Sequence, residues 1–284
     1  MAKKPALPAT RIDIHNHLWN DPGGDKLIAL MDQNAIEATL IMGVPPMGNI
    51  LSNDGVLAAT KKYPGRLVGG CYLDPRDGKK AIKEMRRFHG EGFRVVKLFP
   101  NLGYFPDDDA QTPFFDAVAE LGMAVLSHCG WLGGAGVGMS HEPWAAYYSH
   151  PGRFEKVIRR HPETIFIMAH MGGIAGYLET VMLTTRTPNT YVDCSPGQGV
   201  LIAERGGPIV GAIPPTKLLF GADSYDQAGT LARESDALIK QGFGEHLDKI
   251  FYSNGRGILE KIGALPTVES KVAKTRKKRS KSER

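Results

Sequence analysis

Cysteine is scarce in these 284 residues: Cys71, Cys129 and Cys194 lie far apart, and no C-x-x-C pair occurs. That excludes a disulfide scaffold and reads as reduced, mostly buried thiols of a cytosolic protein. Long apolar runs are missing as well. The longest reach about six to eight residues, well short of a membrane span. The opening MAKKPALPAT has two lysines but no apolar stretch behind them, so it does not read as a signal peptide, and a cytoplasmic location is expected. A G-x-G-x-x-G turn is absent after the first strand candidate, which argues against a dinucleotide-binding fold.

Acidic residues are scarce at one end only. Residues 271–284, KVAKTRKKRSKSER, hold eight Lys/Arg against one Glu. This stretch carries +7, and residues 1–270 carry −2, although the whole chain is +5. The mildly acidic body argues against a nucleic-acid-binding fold. Only the basic end has the character to meet nucleic acid or an anionic membrane surface. Its few apolar residues and dense charge predict a disordered tail over 266–284.

What the chain does have is a hydrophobic content of 42%, ample for one large core. Short β-like runs alternate with helical stretches throughout. The strand candidates span 11–18, 37–44, 66–73, 93–100, 123–130, 164–172, 190–195 and 217–224. Between two of them, DGKKAIKEMRRFHGEG places Ala81, Ile82, Met85 and Phe88 on one helical face and ends at Gly90 and Gly92. FFDAVAELG and FEKVIRRHP behave alike, with Pro162 stopping the second. A last helix is expected over EHLDKIFYSNGRGILEKIG. Eight strand–helix units in one body predict an α/β fold of the closed (β/α)₈ TIM-barrel kind. The expected layout is a lead-in over 1–10, a barrel over 11–265 and the basic tail.

Chemistry concentrates at the strand ends. In RIDIHNHL, side chains two apart share a face. Ile12 and Ile14 go one way, outward against helices, and Asp13, His15 and His17 the other, into the barrel. Two inward imidazoles can chelate one divalent cation. His128, His170 and Asp223 each close a later apolar run, and they share the rim where barrel enzymes keep their sites. Such groups are costly to bury unless bonded or metal-bound. The Gly-rich segment GWLGGAGVGMSHEPWAAYYSH, with His141 and His150, reads as a mobile loop over the mouth. Trp19, Trp131, Trp144 and Tyr104 are aromatic candidates for the pocket, with packing as their default role. Cys129 and Cys194 are expected to point away from the site.

The segments IDIHNHL, GFRVVKLFP, AVLSHCG, FIMAHMGG, NTYVDCS, LLFGADS and YSNGRGIL resemble the amidohydrolase superfamily in its amidohydrolase-related (amidohydrolase 2) branch. That branch includes aminocarboxymuconate semialdehyde decarboxylase, resorcylate decarboxylase and pyrone dicarboxylate lactonase. The segments run in the family's order over residues 11–263. The resemblance implies that His15, His17, His128 and Asp223 bind one divalent metal, usually zinc, with manganese as the alternative. His170 would stand beside it as a catalytic acid/base. In binuclear relatives a fourth-strand lysine bridges two metals. In this branch the lysine is usually not a ligand, so a single metal is expected. Lys97 joins Trp19, Trp131 and His141 as substrate-side candidates. The chain departs from the family at two places: Phe99 stands where K-L-H-P has histidine, and FGADSY lacks the proline of F-G-S-D-Y-P.

The expected reaction is hydrolysis of a small carboxylate, lactone, ester or amide by a metal-activated water. Asp223 would act as ligand and base, and His170 would stabilise the oxyanion. The nearest rival is non-oxidative decarboxylation of an aromatic or dienoic acid on the same residues. A third reading is a non-catalytic scaffold working through its basic tail, against which the full ligand set argues. Relatives often dimerise, so the resemblance implies a homodimer.

Overall fold

Runs such as TLIM, VVKL and AVL are apolar at nearly every position, as strands buried on both faces must be. In the computed structural model, which describes residues 5–46, 48–131, 145–195 and 212–267, they form eight parallel strands ordered as in the chain. These are β1 (Arg11–Asn16), β2 (Ile36–Met42), β3 (Leu67–Tyr72), β4 (Val95–Leu98), β5 (Ala124–Ser127), β6 (Phe166–Met168), β7 (Thr190–Asp193) and β8 (Leu218–Leu219). The helices are α1 (Asp25–Gln33), α2 (Asn53–Lys62), α3 (Lys79–Gly90), α4 (Thr112–Glu120), α5 (Glu155–Arg160), α6 (Gly173–Arg186), α7 (Gln227–Lys240) and α8 (Asn254–Lys261). Two backbone bonds return the last strand to the first: Ile14 N donates to Phe220 O at 3.0 Å, and Asp223 N to His15 O at 2.7 Å. The chain is a TIM barrel, as its alternation predicts. No helix among the described residues is long and apolar enough to cross a membrane.

Sheet and helices are joined by a layer in which Ile41, Cys71, Val96, Val125 and Phe166 meet Leu27, Met31, Met85, Phe88 and Phe114. Each fully buried side chain of this size contributes about 1.5–3 kcal/mol. The fit is close enough that β3 needs a glycine: a Cβ on Gly69 would lie 2.3 Å from the Phe93 ring, which stacks on Phe88 at 5.1 Å.

One expectation is corrected. Ile12 and Ile14 do not pack outward under the first helices. They join the cluster of Leu40, Val68, Val95, Leu126 and Ile167, together with Ile258 and Leu259 of α8. Strict alternation fails because the β1–β2 register shifts between Asp13 and Asn16. That irregularity lets His15 reach the interior although Ile14 does too. The last helix begins where expected, as an unbroken helical run over 244–261. Within that run the helix widens into a π-helix over Lys249–Ser253, where the carbonyl of Ile250 accepts the N–H of Phe220 beyond β8, and α8 follows directly.

At the N-terminal ends of the strands, Arg256 of α8 is almost fully buried. Its guanidinium donates to Glu37 Oε1 (2.7 Å), Glu260 Oε1 (2.7 Å) and the carbonyl of Pro266 (2.6 Å). These bonds tie β2, α8 and the last described residues together at that end.

Candidate metal centre

The site grows from β1. Asp13 is wholly buried, and its carboxylate accepts the N–H groups of His15 (3.1 Å) and Ala222 (2.9 Å) and the amide of Asn16 (2.9 Å). Burial pushes its carboxyl up to about 6 against the pull of these donors. Asn16 also donates to the carbonyl of Ser224 at 3.2 Å. Asp223 therefore sits between two neighbours anchored to β1, and its own N–H is bonded to His15. It needs this support, because its φ is +44°, a left-handed conformation costing roughly 1–2 kcal/mol for a side chain with a Cβ. Gly221 completes the approach: a Cβ there would lie 2.8 Å from that of His15.

Hydrogen-bond partners decide where each imidazole keeps its proton. His17 Nδ1 faces the carbonyl of Met42 at 2.8 Å, which can only accept, so its Nε2 is a bare lone pair. His15 Nδ1 faces Asp193 Oδ2 at 3.0 Å, leaving Nε2 without a proton of its own. His170 Nδ1 donates to the carbonyl of Ser195 (2.9 Å), and its Nε2 accepts from His128 Nδ1 (3.0 Å). The buried Nε2 of His128 then has no hydrogen-bond partner among the described residues. Burial, against the pull of Asp223, pushes His17 down to about 3. Burial beside His15 pushes His170 down to about 4. Burial and the adjoining His170 hold His128 well below the ordinary imidazole range. These three imidazoles are neutral at pH 7, the form that binds metals.

The unprotonated atoms converge. His17 Nε2 lies 3.5 Å and His15 Nε2 4.0 Å from Asp223 Oδ1. One ligand atom from each of His15, His17 and Asp223 falls within 4.8 Å of the others. Burial would raise the Asp223 carboxyl, but the neighbouring imidazoles and Lys97 hold it below the usual carboxylate range. His17 Nε2 and Asp223 Oδ1 face each other with no donor between them, an arrangement that fits a cation, and the buried Nε2 of His128 lacks a hydrogen-bond partner among the described residues. Lys97 is wholly buried, and its ammonium donates to His15 Nε2 at 2.9 Å. Burial pushes it down to about 8, against the attraction of Asp223 and Asp193. His15 Nε2 has one lone pair, so a cation bound there would displace its bond to Lys97.

The predicted residues separate into groups. His15, His17 and Asp223 come together. His128 stands outside that triplet and touches His170, with its ring stacked on Phe99 at 5.5 Å. Lys97 is bonded to the centre and not open to solvent. Trp19 is 39% exposed, edge-on to His17 at 6.3 Å, whereas Trp131 is 79% exposed. His150 pairs with Glu179 at 3.3 Å. Tyr104 is buried, with its ring under Arg76. His141, Trp144 and most of the Gly-rich loop lie outside the described residues, as does the basic tail beyond Thr267. Cys129 and Cys194 are buried in the layers that cover the strands, and burial pushes Cys129 up to about 12, so neither is a nucleophile.

Asp193 and Ser195 were not singled out from sequence. The signal was available: they stand two apart at the end of β7, the same alternation that marks His15 and His17. Asn16 and Asp13 gave less warning, because their partners, Ala222 and Ser224, lie more than 200 residues away.

Comparison with known proteins adds the lineage. Residues 12–256 match the family model described as amidohydrolase. No curated protein matches the sequence. Among solved structures, the chain is similar to 2,6-dihydroxybenzoate decarboxylase from Rhizobium, with 15% identity and a TM-score of 0.62 over 89% of this chain and 99% of that one. It is similar to a probable 2-pyrone-4,6-dicarboxylic acid hydrolase from Acinetobacter baumannii, with 17% identity and a TM-score of 0.60 over 89% and 99%. A third is 4-oxalomesaconate hydratase from Rhodopseudomonas palustris, with 16% identity and a TM-score of 0.60 over 93% and 100%. At these identities the likeness shows a shared fold.

Proposed function

Because this chain belongs to the amidohydrolase family, we propose that it is a metal-dependent hydrolase of a small carboxylate, lactone, ester or amide. The observation that carries this reading is the approach of His17 Nε2 and Asp223 Oδ1 to 3.5 Å, two lone-pair atoms with no proton between them. His15, His17 and Asp223 would hold one divalent cation, with His128 as the fourth ligand. Imidazole and carboxylate donors suit zinc, with manganese as the alternative. When bound, the cation supplies Lewis-acid polarisation and draws the pKa of water towards about 7.

The remaining work falls to the side chains. Asp223 keeps 17% of its side chain open to solvent, so it can take a proton from water and return it to the leaving group. His170 offers a lone pair at Nε2 and not a proton. In this reading it takes up charge from His128 and does not donate to an oxyanion. Lys97 acts on His15 and not on the substrate. Chelation should abolish turnover, and Zn²⁺ or Mn²⁺ should restore it. Undiminished turnover by metal-stripped protein would sink the reading.

A second reading, non-oxidative decarboxylation of an aromatic or dienoic acid, is favoured by one observation. Phe99 lies flat on His128 and Tyr72 stands edge-on to Phe99 at 5.8 Å, an aromatic wall suited to a planar substrate. Release of CO₂, as against a hydrolysed product, separates the two.

A further inference from the structure

Asp193 is a carboxylate with no exposure to solvent, and its two oxygens are divided between two histidines from different strands. Oδ1 accepts the backbone N–H of His170 (3.1 Å), the backbone N–H of Ser195 (3.0 Å) and the Ser195 hydroxyl (2.5 Å). Oδ2 accepts His15 Nδ1 at 3.0 Å. A buried carboxylate must be satisfied by such donors, and here the donors are parts of the site. His170 and Met171 have φ of +58° and +53°, and the bond from His170 N to Asp193 holds this left-handed turn in place.

We infer that Asp193 is the positioning residue of the centre: it sets the tautomer of His15 and the backbone of His170 at once. An ionised carboxylate carries no proton, so His15 must place its own on Nδ1. That leaves Nε2, on the side of Asp223 and bonded by Lys97 at 2.9 Å, as the lone pair that a cation would take. The same side chain anchors the turn that presents His170 to His128. Ser195 seconds it, with its hydroxyl 3.0 Å from His15 Nδ1 and 3.2 Å from His170 Nδ1. Outer carboxylates of this kind orient metal-binding histidines in general, and their loss costs about 10–100-fold in metal affinity or activity.

Asp193→Asn makes the inference sharp, because an amide keeps the shape and breaks the symmetry. Two backbone N–H groups that cannot turn away meet Oδ1, so the amide oxygen must occupy that side. The amide NH₂ then faces His15 Nδ1, which can accept only by moving its proton to Nε2. The opposite orientation would set two fixed N–H groups against an NH₂ group, the worse conflict. His15 Nε2 would then present a proton to Asp223 and Lys97, and metal affinity should fall.

This inference rests on the proposed metal site for its consequence but not for its test. ¹⁵N-resolved NMR of metal-free protein should show the His15 proton on Nδ1 in wild type and on Nε2 in Asp193→Asn. Zinc affinity, measured against a chromophoric chelator, should weaken about 10–100-fold in the variant. A wild-type His15 protonated at Nε2 overturns the inference, and that measurement stands even if the variant does not fold. So does a folded variant whose tautomer and zinc affinity are unchanged. A tautomer that moves as expected in a protein that binds no zinc would sustain the role of Asp193 and sink the metal reading.

Discussion

The two ends of this barrel are built from similar side chains to opposite effect. At the N-terminal ends of the strands, Arg256 meets Glu37, Glu260 and a carbonyl, and every contact pairs a donor with an acceptor. At the C-terminal ends, His17 Nε2 faces Asp223 Oδ1 lone pair to lone pair, a buried imidazole nitrogen has no partner among the described residues, and His170, Met171 and Asp223 hold left-handed backbone. One end is arranged for stability, and the other, in the proposed function, is arranged to hold a cation. In parallel barrels this division follows from the chain: loops leaving the strand C-termini converge on one rim.

The comparison breaks most visibly at the rim. Asp223→Ala combined with His128→Ala should remove the metal and lower turnover by about 10³-fold, the equivalent of several kcal/mol of lost Lewis-acid stabilisation. Elemental analysis checks it: about one equivalent of zinc or manganese in wild type, none in the variant. Two equivalents would make Lys97 a bridging ligand and overturn the single-metal reading.

The opposite end should respond in stability alone. Arg256→Ala leaves two carboxylates without their cation, so urea denaturation should show a loss of about 3 kcal/mol. Metal content of the folded variant should not change. A loss of metal there would mean that the two ends are not independent.

Acid sharpens the contrast further. His17 and His170 titrate at about 3 and about 4 in the folded chain, against about 6.5 when unfolded. Their folded values are depressed, so the stability they contribute is present above about pH 6.5 and is lost as pH falls towards 4 and then 3. Asp13, raised to about 6, has the opposite sign: its contribution is present below about pH 4 and fades as pH rises through 6. The histidines outweigh it, and metal-free protein should lose on the order of a few kcal/mol between pH 7 and pH 4. Denaturation midpoints that stay constant over that range would contradict the buried neutral imidazoles.

The smallest effect is expected from removing everything after Pro266. That carbonyl is held by Arg256 at the end away from the metal centre, so turnover should stay within about twofold of wild type, since surface changes are usually within about 0.5 kcal/mol. A large loss would revive the reading in which the basic tail is the working part.

Sequence by itself determined the barrel and the neighbourhood of the site. Apolar runs at strand spacing can be buried only between helices, and a histidine or aspartate closing such a run must emerge at the rim. His15, His17, His128, His170 and Asp223 stand out in the sequence for that reason; their roles are what the family resemblance implies, and for His170 the proposed function departs from it. The true strand ends do not stand out, since β8 keeps only Leu218–Leu219 once Phe220 has bonded to Ile250. Only the tertiary structure decided which nitrogen of each imidazole is unprotonated, that Ile14 and His15 both turn inward, and that Asp193 governs the centre. The contact between His15 and Asp193 joins residues 178 positions apart. It depends on a register shift in β1 and on left-handed turns after β6 and β8, which alternation along one strand does not encode.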